Sequence, residues 1–202
     1  MDPDRDVLER WRAGDQAAGR ELFARYFTPL YRFFANKCDE PDELIQTTML
    51  AIVKSKDQFA GRSSFKTYLF AIARNELWRF LREQKRVEAF DPDLSSIAAL
   101  VTSAGSRLAR NEEHRALFAA LRGLPVEQQT LLELHYWEEL DALALGEVFD
   151  RPAPTIRVQL SRARTALRDE MLAHGAVPPS ALRSDDELDR WVRTANTMSD
   201  KR

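Results

Sequence analysis

APTIRVQLSRARTALRDEM, residues Ala153–Met171, is the stretch that decides the fold. Ile156, Leu160, Ala163, Leu167 and Met171 recur at steps of four, three, four and four, which draws one apolar stripe along an α-helix. Pro154 and Thr155 stand where the N-terminus of that helix belongs. The segment before it, DALALGEVFDRP, reads as a shorter helix closed by a turn, so the two together form a helix-turn-helix candidate. Arg157, Ser161, Arg164 and Arg168 repeat the helical spacing on a second face, with Arg162 beside them. A helix of this kind can enter a major groove: Arg donates two hydrogen bonds to guanine, Gln159 can pair with adenine, and the helix N-terminus favours a phosphate. Thr155, Arg157, Gln159, Ser161, Arg162, Arg164 and Arg168 are therefore the candidate duplex-reading residues. The plainer reading is a solvated basic face on an ordinary core helix, and the helix and turn just before it weigh against that.

Working outward, apolar residues keep the three- and four-residue spacing almost throughout and no β-branched alternating run occurs, so the chain is expected to be all-α. Residues 1–87 form a first helical block. Its first helix, around Asp4 to Ala13, ends at Gly14, Asp15 caps the next, and Pro41 opens a third through DELIQTTMLAIVK. A polar loop, KDQFAGRSS, precedes a fourth helix. Residues 88–110 are poor in large apolar side chains and read as a flexible linker. Residues 111–174 form the second block, carrying the helix-turn-helix. The tail, 175–202, starts Pro-rich and then offers a short amphipathic helix with Leu188, Trp191 and Val192 on one face.

The 202 residues carry a net charge of -2, which argues against nucleic-acid binding by the whole surface and requires cations gathered locally. They are gathered twice. Lys54, Lys56, Arg62, Lys66, Arg74, Arg79, Arg82, Lys85 and Arg86 crowd the end of the first block, and five arginines from Arg151 to Arg168 crowd the second. In the first block Arg74, Trp78 and Arg82 share a helix face, and Phe59, Phe65, Tyr68 and Trp78 surround the polar loop. Cations with aromatic faces are what holds a single strand, since phosphates are neutralised while bases stack. No stretch approaches the roughly 20 apolar residues of a membrane span, so no membrane insertion is expected. The lone Cys38 has no partner for a disulfide or a zinc site, which fits a cytoplasmic protein. His114, His135 and His174 lack metal-ligand spacing, and no phosphate loop or nucleophile motif stands out; neither catalysis, nor a metal, nor a cofactor is expected.

Two long segments carry a family resemblance. GDQAAGRELFARYFTPLYRFFANKCDEPDELIQTTMLAIVKSKDQFAGRSSFKTYLFAIARNELWRFLRE resembles sigma region 2, and GLPVEQQTLLELHYWEEL with DALALGEVFDRPAPTIRVQLSRARTALR resembles sigma region 4. Their order and the short connection between them resemble the small, extracytoplasmic-function (ECF) class of RNA polymerase sigma factors. That resemblance implies two small helical domains joined by a linker, and a protein that directs core polymerase to promoters. It implies that Asp42, Glu43, Gln46, Thr47 and Leu50 face the polymerase's largest subunit. Helical geometry places Glu43, Gln46, Thr47 and Leu50 on one face, opposite Ile45, Met49 and Ile52. The resemblance further implies that the loop from about Asp57 to Ser64 captures a flipped base of the −10 element. Lys56, Phe59, Arg62, Ser63, Ser64, Lys66, Arg74, Trp78 and Arg82 are thereby the −10 candidates, and the helix from Thr155 takes the −35 duplex. Core RNA polymerase and promoter DNA are the implied partners, with an anti-sigma factor a frequent further one in such proteins. Gly146, Val158 and Gln159 depart from the family's usual Ala, Ser and Arg, so promoter preference stays open. A helix-turn-helix regulator acting without replacing sigma is the alternative.

Overall fold

A computed structural model describes residues 4–84, 90–101, 112–173 and 184–197. Lys85 and Arg86 of the first basic run, residues 88–89 and 102–110 of the linker, His174 and the Pro-rich start of the tail lie outside the described residues. Among the described residues every element is helical apart from one isolated bridge, Ser96 to Pro125.

The first block contains α1 (Arg5–Arg12), α2 (Gln16–Ala35), α3 (Pro41–Ser55) and α4 (Phe65–Gln84). Gly14, at φ 104°, turns the chain after α1, and the Asp15 carboxylate then accepts from the amides of Ala17 and Ala18. The α1–α2 crossing is close because Gly19 has no side chain: a Cβ there would lie 2.6 Å from the Trp11 ring. Leu22, Leu30, Phe34, Ile52, Leu69, Phe70 and Leu77 are all fully buried between α2, α3 and α4. At roughly 1.5–3 kcal/mol for each large side chain, this core dominates the stability of the block.

The second block contains α5 (Ile97–Leu100), α6 (Glu112–Gly123), α7 (Val126–Tyr136), α8 (Ala142–Phe149) and α9 (Ala153–Ala173), and α10 (Asp185–Thr197) follows in the tail. The predicted stripe of α9 is buried at Ile156, Leu160, Ala163, Leu167 and Met171. The segment expected to be a linker has structure where it is described. Ile97 is fully buried, and the amides of Val126 and Glu127 donate to the carbonyls of Ser95 and Pro92 at 2.8 and 3.0 Å. Ile97 supplies the apolar anchor that the small-residue composition around it conceals.

The two blocks also touch. Trp78 of α4 meets Phe149 of α8 edge to face, with ring centroids 6.2 Å apart. Lys37, fully buried at the end of α2, pairs with Glu133 of α7; Asn36 and Gln129 donate to the same carboxylate at 3.1 and 2.9 Å. Arg32 and Lys66 both reach Glu138, at 3.1 Å each. The buried carboxylates are thus met by several donors each, and Lys37 Nζ donates to the Phe33 carbonyl at 2.6 Å as well, the condition under which a buried ion pair is tolerated. Burial still pushes the Lys37 ammonium below its usual range, and Glu133 opposes that shift.

Candidate nucleic-acid interface

The helix-turn-helix is built by its caps. Asp141 accepts from the amides of Leu143 and Ala144 to start α8, and Asp150 adopts a left-handed conformation, φ 54°, to end it. A Cβ at Gly146 would lie 2.6 Å from the Arg151 carbonyl oxygen, so the departure from Ala at this position lets the turn close tightly on α8. The tight turn then delivers α9 with its apolar stripe inward.

Of the seven predicted duplex readers, Thr155, Arg157, Ser161 and Arg162 are exposed on α9. The other three are turned into the protein to different degrees. Gln159 is half-buried and donates to Glu127 at 3.3 Å, where Arg151 also donates. Burial and the neighbouring Asp93 push the Glu127 carboxyl above its usual range, and Arg151 opposes them. Arg168 is half-buried. Arg164 is held most firmly: its Nε donates to the Tyr136 hydroxyl at 2.8 Å, its Nη2 lies 3.0 Å from His135 Nε2, and Asp189 of α10 is 3.4 Å away. Its guanidinium also stands over the Tyr136 ring.

The second cluster is in the first block. Arg74 stacks on Trp78 at 4.1 Å and reaches toward Phe149 at 5.5 Å, so burial lowers its pKa to about 10. Trp78 is only 8% exposed, with Phe149 of α8 against it, whereas Arg82 is exposed. Ser64 caps α4 by accepting from the Thr67 amide at 3.0 Å. Arg62, Ser63 and Ser64 line a cleft of about 630 Å³ whose opposite wall is Leu143, Ala144 and Glu147 of α8. Phe59 stacks on Tyr68 at 4.5 Å, and Tyr68 donates to the Ser55 hydroxyl at 2.6 Å. Lys56 pairs with Asp57 at 2.7 Å and stands over the Trp11 ring. Arg12 braces this loop by donating to the carbonyls of Lys56 and Phe59, a role that no spacing in the sequence announces because it joins positions 44 and 47 residues apart.

On α3, Asp42, Glu43, Gln46 and Leu50 are exposed and Thr47 is half-buried, its hydroxyl donating to the Glu43 carbonyl at 2.8 Å. Ile45, Met49 and Ile52 face the core. Val53, 41% exposed three residues after the 51% exposed Leu50, extends this outer face and was not among the sequence candidates. The three-residue apolar step Leu50–Val53 is the signal that could have found it.

Among the described residues the chain is helical, with a helix-turn-helix in one block and a cation–aromatic cluster in the other, and that places it in the class of helix-turn-helix DNA-binding proteins. The Sigma-70 region 2 model matches residues 22–87 and the Sigma-70 region 4 model residues 114–167, together more than half of the chain. The chain belongs to the sigma-70 family and is an ECF RNA polymerase sigma factor. It is 26% identical over 180 residues to the ECF RNA polymerase sigma-E factor of Haemophilus influenzae, covering 83% of this chain and 95% of that protein. The sigma-E factor of Escherichia coli K12 is 24% identical, with 83% and 94% covered. Among solved structures, CnrH in complex with the cytosolic domain of CnrY matches with TM-score 0.64 and 21% identity, covering 84% of this chain and 97% of that one. RpoE in complex with the anti-sigma factor NepR from Bartonella quintana matches with TM-score 0.54 and 20% identity, covering 75% and 92%. The region 2 match leaves the alternative, a regulator that does not replace sigma, without support.

Proposed function

We propose that this sigma factor divides promoter reading between its two blocks, residues 1–87 and 111–174. The helix α9 enters the −35 major groove through Thr155, Arg157, Ser161 and Arg162, with Gln159, Arg164 and Arg168 on its flanks. The loop carrying Lys56, Phe59, Arg62, Ser63 and Ser64, with Lys66, Arg74, Trp78 and Arg82 of α4, holds the separated −10 strand. Asp42, Glu43, Gln46, Thr47 and Leu50 of α3 seat the chain on core RNA polymerase. The chain performs no catalysis of its own; bond formation belongs to the polymerase, and the protein works where the polymerase does, in the cytoplasm. No described helix is long and apolar enough to cross a membrane. By likeness to RpoE, solved with an anti-sigma factor, an inhibitory protein is a further partner.

The observation that carries this reading is the outward face of α9, where two exposed arginines and two hydroxyl side chains stand opposite a fully buried stripe. Because Arg74 and Trp78 are engaged by Phe149 of α8, and Lys66 by Glu138 between α7 and α8, taking up the −10 strand requires α4 to part from both. The test is promoter binding by holoenzyme reconstituted from core polymerase and the full chain. Arg157→Ala and Arg162→Ala should each cost about 1–3 kcal/mol on a cognate −35 element, with core affinity intact. Equal losses on scrambled DNA would make both residues phosphate anchors and overturn their reading role.

A further inference from the structure

The face of α9 that points away from its own core is centred on a residue that can form no side-chain hydrogen bond. At roughly 100° per residue, Val158 falls about 180° from the stripe of Ile156, Leu160, Ala163 and Leu167. It is 52% exposed, with Thr155, Ser161 and Arg162 exposed three and four residues to either side. Neither packing nor propensity accounts for it. An exposed side chain contributes little burial, and a β-branched residue is a weaker helix former than the straight-chain residues such a position usually carries. Its neighbour Gln159, the one amide on the helix that could read adenine directly, is turned toward Glu127 at 3.3 Å.

We propose that Val158 is a specificity-determining residue that selects a thymine in the −35 element by packing on its 5-methyl group. In the major groove that methyl is the only apolar feature that distinguishes one base pair from another, and a valine can neither donate to nor accept from the remaining base edges. The recognition helix of this motif reads bases with the residues of its N-terminal half, and Val158 is the sixth residue of α9. Arg157 and Arg162 flank it, so the apolar contact sits between two groups able to fix register on guanine or phosphate. This assignment rests on the proposed entry of α9 into the −35 groove.

The experiment uses holoenzyme made from core polymerase and the full chain. A promoter library with a randomised −35 window and a fixed −10 element is enriched for binding. Each −35 thymine of the winning sequence is then replaced, one at a time, by deoxyuridine, which removes only the methyl. One replacement should weaken binding roughly three- to fivefold, the effect of a single methyl group leaving an apolar contact. With Val158→Ser, whose melting temperature should match that of the parent, the same replacement should cost nothing. Leu172→Ser, an exposed apolar residue at the far end of α9, should leave the deoxyuridine penalty in place. A winning −35 element without thymine, a full set of neutral replacements, or a penalty that survives Val158→Ser would each overturn the assignment. If Arg157→Ala and Arg162→Ala still weaken the cognate element in those cases, only the role of Val158 is lost. If they too leave the preference untouched, the reading of α9 falls with it.

Discussion

His135 sits where one proton decides whether three elements fit together. Its Nδ1 lies 3.0 Å from the Leu140 carbonyl and its Nε2 lies 3.0 Å from Arg164 Nη2. A carbonyl can only accept and a guanidinium can only donate, so the ring is neutral with its proton on Nδ1. Burial first, then the Arg164 and Arg193 guanidiniums, hold its pKa below the usual 6.5; the Leu140 hydrogen bond and Asp189 act the other way. Tyr136, beside it, is pushed up by burial and by Asp189 and stays neutral. A histidine depressed in the folded state contributes stability that is present above its unfolded pKa and lost as pH falls toward the folded one. Urea midpoints measured downward from pH 7.5 should therefore fall below about pH 6.5, and His135→Asn should flatten that slope. An identical slope in both chains would refute the assignment.

At the scale of elements, α10 is a docked helix. Leu188 and Val192 are fully buried, the Trp137 indole donates to the Val192 carbonyl at 3.2 Å, and Tyr136 donates to Asp189. The apolar face read from the tail at Leu188, Trp191 and Val192 thus meets α7 and α9, with Trp191 packed against the core beside the other two. Ending the chain after Gly175 should lower stability by on the order of 3 kcal/mol, the burial of two aliphatic side chains, readable in urea denaturation. It should also release Arg164 from Asp189, so duplex affinity should rise and its salt dependence steepen by about one phosphate contact. Unchanged stability would mean that α10 contributes nothing to holding α7 and α9 together.

For the whole molecule, the decisive contacts run between blocks. Lys37 and Glu133 are both buried and 96 residues apart, and Arg32 and Lys66 converge on Glu138. Removing one partner of a buried pair strands the other, so Lys37→Met should cost about 3–5 kcal/mol. The double variant Lys37→Met with Glu133→Gln, which keeps an acceptor for Asn36 and Gln129, should recover most of that loss, and a double-mutant cycle of denaturation midpoints measures the coupling. Additive losses would show that the two side chains do not meet in the free protein. A weaker closed form should also expose Arg74 and Trp78, which α8 otherwise covers.

The sequence by itself determined the helices, their caps and their inward faces. The stripe of α9, the Asp15 cap, the Pro41 start and the burial of Ile45, Met49 and Ile52 all follow from spacings within a few residues, because helical period and capping are local physics. It also carried the two long motifs from which the family could be read. Only the tertiary structure decided what covers each outward face. Period alone placed Arg157 and Arg164 on one face; α7 and α10 separate them, leaving one exposed and holding the other between Tyr136, His135 and Asp189. Likewise nothing local to Trp78 announces Phe149, and nothing local to Lys37 announces Glu133. A helical repeat fixes a side chain's direction relative to its own axis, whereas its partner depends on how helices far apart in the chain come to pack.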